Sequence, residues 1–356
     1  MSEPTSTSPA ALEWERQPQP GVWMIPRPRQ RWSVYVLFFA VTLFSTTVVG
    51  ARMQFYFLRH QTVFALNDET LSFFPISWAM RHPQNFLMGL PFSLTLMFIL
   101  FAHEMGHYLY ARHYRVYATP PLFIPFPTLI GTLGAFIRIK SPIPSRAALF
   151  DIGIAGPIAG FIPSCIALLY GLSLSHPIVP FNPADTRAGF PLAFHLAARL
   201  LHVGLPLDVL SLHPIAAAAW VGFFATSLNL LPGGQLDGGH ILFSVSPRLH
   251  YWISLLTVFA MVPLGKYLWT GWFLWAVLLG LTMRHPRVPR YPDVSGWRRV
   301  LALGAVLMLA LSFTPAPFTN SSGQDVWRMF GPEIRHESRG TLHDLRDSAS
   351  HLLHRK

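Results

Sequence analysis

The chain has 356 residues, of which 51% are hydrophobic and only 12% charged, with a formal net charge of +11. A soluble domain would carry about 25% charged residues, so this length divides into membrane spans rather than soluble domains. The basic residues sit in short clusters between apolar runs, as membrane loops do, so no nucleic-acid partner is expected.

Residues 1–32 are polar and Pro-rich and lack the apolar core and small-residue cleavage site of a signal peptide. They are expected to form a cytoplasmic N-terminal segment ahead of a retained first span. That span is Ser33 to Gly50, preceded by Arg27, Arg29 and Arg31. Arg52 to Arg81 mixes charges with aromatics such as Phe55, Tyr56 and Trp78, a pattern suited to the interface. The second span, Phe86 to Tyr110, ends at Arg112, His113 and Arg115.

Within this span lies Phe101-Ala-His-Glu-Met-Gly-His-Tyr108. Positions i and i+4 share one helix face, so His103 and His107 can bind one metal ion together. Glu104 sits one residue round, where it faces the nucleophilic water rather than the ion. The flanks are apolar on every side, so the motif belongs in a membrane. Ionisable side chains at such depth are costly and usually functional.

Thr119 to Ile143 holds five prolines, with Pro144 just beyond, together with Gly131 and Gly134 and strand-like Leu122-Phe-Ile and Ala135-Phe-Ile-Arg-Ile. This predicts a small membrane-associated β-hairpin. Non-helical backbone at membrane depth must be buried in protein or line a wet cavity, so the hairpin is expected near the site. The third span, Phe150 to Leu172, contains Gly153, Gly156 and Gly160, small residues that let helices approach. A loop of about 40 residues follows, His176 to His213. The fourth span, Ile215 to Leu231, runs into Asn229-Leu-Leu-Pro-Gly-Gly-Gln-Leu-Asp-Gly-Gly-His240. Further spans are expected at Tyr251 to Pro263, Tyr267 to Met283 and Val300 to Phe313. The remainder, 314–356, is polar, rich in His and expected to be disordered; His336, His343, His351 and His354 there read as solvated. The fold class is therefore an α-helical polytopic membrane protein with about 6–7 transmembrane helices, its membrane domain at 33–313 and its catalytic core at about 86–240.

Inner segments carry 15 Lys and Arg against 6 on the outer connecting loops when the N-terminus is placed inside. Both motifs then lie at the inner, cytoplasmic ends of their spans, in what is expected to be a bacterial inner membrane. A catalytic zinc takes three protein ligands and keeps a position open. The carboxylates available for the third are Asp151, Asp237 and Asp208. Asp237 is preferred because flanking glycines let its backbone pack closely against another helix; Asp151 sits at a helix start, where a cap or dipole role is ordinary.

The pair His103-Glu-Met-Gly-His107 and Asn229-Leu-Leu-Pro-Gly-Gly-Gln-Leu-Asp237-Gly resembles the signature of the site-2 protease family of intramembrane zinc metalloproteases. Phe150-Asp-Ile-Gly-Ile-Ala-Gly-Pro-Ile-Ala-Gly160 and Gly131-Thr-Leu-Gly-Ala-Phe-Ile137 look like further family segments. The resemblance implies one zinc per chain on His103, His107 and Asp237, with Glu104 as base. It also implies Asn229, Pro232, Gly131 and Gly134 as substrate-binding residues, a transmembrane protein as substrate and the lipid bilayer as surroundings. The implied reaction is metal-assisted peptide hydrolysis, with Glu104 taking a proton from water and passing it to the leaving amine. The chain departs from many relatives in that the 176–213 loop is too short for a PDZ domain and the tail too short for a CBS pair. A metal transporter and an inactive relative that only binds transmembrane partners are the alternative readings. The oligomeric state is not legible.

Overall fold

The computed structural model describes residues 31–64, 70–72, 74–179, 187–286, 288, 289, 291, 293–319 and 321–325. The tail histidines and most of the N-terminal segment lie outside the described residues. The chain divides into two compact units, Met1–Trp32 and Ser33–Lys356; the helical domain is the second.

The first helix, α1 (Trp32–Leu58), runs two turns further than expected. Nothing after Gly50 breaks it, and Met53, Tyr56 and Phe57 turn inward, so Arg52 is buried in a helix rather than laid along the interface. Gly50 is where α1 crosses the next span: a Cβ there would come within 2.4 Å of the Gly89 carbonyl. Two short helices, α2 (Ile76–Arg81) and α3 (Pro83–Leu87), lead into α4 (Leu90–His113).

The hairpin forms as expected, with β1 (Leu122–Pro125) antiparallel to β2 (Thr132–Phe136). Leu122 pairs with Phe136 and Phe123 with Ala135, with a bulge at Ile124/Pro125. Gly131 and Gly134 have φ of 80° and 102°, a region that side chains resist. The hairpin tip is tied to α1 by the Ser45 hydroxyl, which donates to the Gly131 carbonyl at 2.6 Å.

Helix α5 (Arg146–Ser173) starts at Ser145, whose side chain caps the Ala148 N–H at 3.1 Å. It is the central post of the bundle, packed against α4 and against later helices α6 (Leu192–Leu200), α7 (Pro214–Asn229), α8 (Asp237–Val245) and α11 (Trp297–Ser312). The 176–213 segment holds α6 and a second two-stranded ribbon, β3 (His176–Pro177) with β4 (Leu210–Ser211). Helices α9 (Pro247–Tyr267) and α10 (Gly271–Thr282) pair with each other.

Among the described residues, four helices are long and apolar enough to cross a membrane: Trp32–Leu58, Pro83–His113, Arg146–Ser173 and Pro247–Tyr267. The last is longer than the sequence suggests, because the helix continues through Pro263. Helices α7 and α10 are apolar but only 16 and 12 residues long. At 1.5 Å per residue α7 rises about 24 Å, short of a bilayer core of about 30 Å. Ala216, Ala217, Ala218 and Ala219 are completely buried, so α7 is sheathed by its neighbours and need not span by itself. The chain is thus a mostly helical membrane protein with a small antiparallel hairpin.

Asp151 lies in the second turn of α5, not at its cap. Arg298 of α11 grips it through two bonds of 2.8 Å, from Nε to Oδ1 and from Nη2 to Oδ2. The Tyr114 hydroxyl, just beyond α4, donates to the same carboxylate. This clamp ties three helices together and occupies a carboxylate that is only 3% exposed. Arg298→Met would leave it buried without its counter-charge. We expect a loss of about 3 kcal/mol in unfolding free energy, the low end for breaking such a pair because the guanidinium is partly exposed. Denaturant unfolding in detergent measures it, and Asp151→Asn in the same background should recover much of the loss.

Candidate metal centre

His103 and His107 stand one turn apart on the buried face of α4. The chain after α7 brings in the third group. Leu230 to Leu236 folds tightly back, with Gly234 at φ 60°. A Cβ on Gly238 would sit 2.2 Å from the Leu230 carbonyl. That turn starts α8 at Asp237, over the two histidines.

Three ligand atoms meet in a nearly equilateral triangle. The two Nε2 atoms are 3.2 Å apart, and Asp237 Oδ2 lies 3.3 Å from His103 Nε2 and 3.2 Å from His107 Nε2. Nδ1 of His107 donates to the Ile152 carbonyl at 2.7 Å, which leaves a lone pair on Nε2 directed into the triangle. Asp237 Oδ2 is buried and accepts no hydrogen bond. Converging lone pairs of this kind need a cation. Tetrahedral coordination with bonds of about 2.0–2.1 Å places its ligand atoms about 3.3–3.4 Å apart, close to the observed edges. Two imidazoles and a carboxylate are a donor set that suits zinc.

The histidines are seated by glycines on α5. A Cβ on Gly156 would lie 2.1 Å from His107 Nε2, and one on Gly160 would lie 3.0 Å from the His103 Cβ. In the sequence these glycines read only as helix-packing residues. They do pack helices, but the surfaces they admit are the two imidazole rings. Their spacing on one face was the available signal; what faces them was not.

The triangle opens onto a cavity of about 260 Å³, bordered by Glu104, Asn229, His240, the 135–139 edge of the hairpin arm and the Leu149–Gly153 face of α5. Glu104 is buried, and the Ile137 backbone lies against its carboxylate. Glu104 is not part of the three-ligand group. Asn229, at the C-terminal end of α7, places Nδ2 3.2 Å from His103 Nε2.

The structure therefore gathers His103, Glu104, His107, Asn229 and Asp237 around one space. Pro232 lies in the turn behind it, its carbonyl accepting from Thr257 at 3.4 Å. Gly131 and Gly134 shape the hairpin and do not border the cavity. The two other carboxylates are engaged elsewhere, Asp151 by Arg298 and Asp208 by Arg187 at 3.6 Å. Among the described residues, His103, His107 and Asp237 are the one group of three or more whose ligand atoms lie mutually within 4.8 Å.

The protein-family model described as peptidase family M50 matches residues 91–254. This part of the chain belongs to peptidase family M50. The M50 segment runs from the start of α4 to within α9 and holds both metal-facing motifs, the hairpin and α5. Arg298 and α1 lie outside it. A protein of Oryza sativa subsp. japonica named probable zinc metalloprotease EGY1, chloroplastic, is 29% identical over 313 residues, covering 82% of this chain and 52% of that protein. Probable zinc metalloprotease EGY2, chloroplastic, of Arabidopsis thaliana is 32% identical over 237 residues, covering 65% of this chain and 42% of the relative. The chain spans about half the length of the curated relatives it matches.

Proposed function

We propose that this chain is an intramembrane zinc metalloprotease that cuts a transmembrane protein within or next to its membrane segment. The observation that carries the reading is the His103–His107–Asp237 triangle, with the Glu104 carboxylate bordering the same cavity. The membrane surroundings, the M50 match and the zinc metalloprotease relatives support it. The catalytic domain is 33–313, His103, His107 and Asp237 hold one zinc, and Glu104 is the general base. The excess of Lys and Arg on one set of loops favours an N-terminus and active site on the same, inner side of the membrane; the membrane proposed is a bacterial inner membrane, with that side cytoplasmic. Convergence of the candidate ligands at one depth, rather than along a path, favours hydrolysis over metal transport.

When bound, the ion supplies Lewis acidity to water and to a carbonyl. The chain's own groups do the rest. Glu104 takes a proton from the attacking water and returns it to the leaving amine. The Ile152 carbonyl holds the His107 ring in the tautomer that can bind. The Asn229 amide, beside His103, is placed to hold a substrate carbonyl, with Pro232 shaping the turn behind it and Gly131 and Gly134 the hairpin opposite.

A helical substrate must unwind before its carbonyls are accessible, and the hairpin arm suits the unwound form. The Arg138 N–H donates to the Thr119 hydroxyl and its carbonyl accepts from the Thr119 N–H, at 3.0 Å each. Backbone groups alternate in direction along a strand, so Ala135 and Ile137 turn theirs to the other edge, where both residues border the cavity. An extended segment can add there as a further strand through Ala135 and the Ile137 carbonyl, the Ile137 N–H being directed at the Glu104 carboxylate.

Two measurements test the reading. Comparing membrane-protein fragments from cells with wild-type enzyme and with Glu104→Ala should reveal fragments made only by the former; an identical fragment set would overturn the protease assignment. Asp237→Ala should drop the zinc content of purified protein from one per chain to near zero. Full occupancy in that variant would remove Asp237 from the ligand set.

A further inference from the structure

Helix α8 carries a third imidazole to the cavity, one turn beyond Asp237. His240 borders it, and its Nδ1 lies 2.8 Å from Nε2 of His285, in the segment after α10. Nδ1 of His285 lies 2.7 Å from the Pro286 carbonyl. A carbonyl only accepts, so His285 donates from Nδ1 and, as a neutral ring, must accept at Nε2. His240 then donates from Nδ1, and its own Nε2 carries a bare lone pair. The relay is held in place: Phe243 stacks on the His285 ring at 3.9 Å between centroids and 15° between planes. Gln235 donates to the Arg284 carbonyl at 3.0 Å. His240 is outside the three-ligand group, so its lone pair is not committed to a metal.

An extended peptide added to the hairpin pairs along one edge only. The N–H groups of its other edge enter the cavity, where each gives up water as the peptide fills the space and then needs an acceptor or costs about 1–3 kcal/mol. Asp237 and Glu104 are committed to the triangle and to proton transfer. We propose that His240 is a substrate-positioning residue, whose Nε2 accepts a hydrogen bond from a main-chain N–H on the substrate edge facing away from the hairpin. His285 and the Pro286 carbonyl set the tautomer that makes this possible. The proposal rests on the protease reading above and adds to it the recognition of the substrate backbone.

The probe is a synthetic peptide spanning a cleavage site found by the Glu104→Ala comparison, with backbone amides replaced one at a time by esters, which lack the N–H. His240→Leu should keep wild-type zinc content and lower kcat/KM about five- to tenfold, chiefly through KM, as loss of one hydrogen bond does. His240→Gln, whose amide oxygen restores an acceptor, should recover part of it. At one position the ester should cost the wild type a similar factor and cost His240→Leu nothing further. If His240→Leu does not fold, His285→Leu, which leaves the cavity wall intact and removes the tautomer lock, should show the same cancellation in part. Ester penalties identical in wild type and variant at every position would overturn the proposal while leaving the protease assignment standing. A wild type that makes no fragment absent from Glu104→Ala would overturn both.

Discussion

Purified Glu104→Gln is expected to hold one zinc ion per chain, as the wild type does, yet to cleave about a hundred- to ten-thousandfold more slowly, the usual contribution of a positioned general base. The reason is the division of labour in the cavity. The triangle is made by His103, His107 and Asp237 alone, and an amide at position 104 has the shape of the carboxylate but cannot take a proton from water. Metal analysis by mass spectrometry and cleavage of a membrane substrate in vesicles, run on the same preparation, separate the two effects. Cleavage at the wild-type rate would remove Glu104 as base; joint loss of metal and activity would make it a ligand instead.

Gly156→Ala is expected to weaken zinc binding at least about tenfold, within the range seen when groups supporting metal ligands are changed, although Gly156 is no ligand. The new methyl carbon would lie 2.1 Å from His107 Nε2 and 2.4 Å from two of the ring carbons. His107 cannot simply swing aside, because its Nδ1 is anchored to the Ile152 carbonyl on α5, the same helix that carries the new methyl. Either the ring leaves the triangle or α4 and α5 move apart along a tight contact, where a Cβ on Gly106 would already be 2.4 Å from the Ala155 carbonyl. Gly304→Ala is the control, since nothing lies within 4 Å of a Cβ there. A competition titration with a zinc chelator reads the difference. Equal affinity in Gly156→Ala and Gly304→Ala would show that the imidazole seat is not as tight as drawn.

Much of this molecule was legible as a string of residues. The low share of charge and the long apolar runs announce a membrane protein. The pairing of His103 and His107 follows from helix periodicity, and the hairpin from prolines, glycines and two strand-like runs. Boundaries were less legible where helices run past a conventional stop. Helix α1 continues beyond Gly50 and buries Arg52, and α9 continues through Pro263.

Assignment of the carboxylates needed three dimensions. Asp151, Asp208 and Asp237 differ little as sequence, and glycines around one of them are only suggestive. Their separation comes from partners that only the folded chain supplies: Arg298 takes Asp151, Arg187 takes Asp208, and a glycine turn after α7 delivers Asp237 to the histidines. The same holds for Gly156, Gly160 and His240. Their importance lies in what they touch, and no spacing rule encodes that.

The sequence by itself determined the solvent, the helix that carries the metal pair and the chemistry that pair can support, because composition and periodicity are properties of neighbouring residues. Only the tertiary structure decided which carboxylate closes the triangle, why the opposing helix must be bare of side chains there, and which further group faces the cavity. Those depend on close approaches between atoms tens to more than a hundred residues apart in the chain, such as Asp237 Oδ2 and His107 Nε2 at 3.2 Å, and such approaches exist only once the bundle has packed.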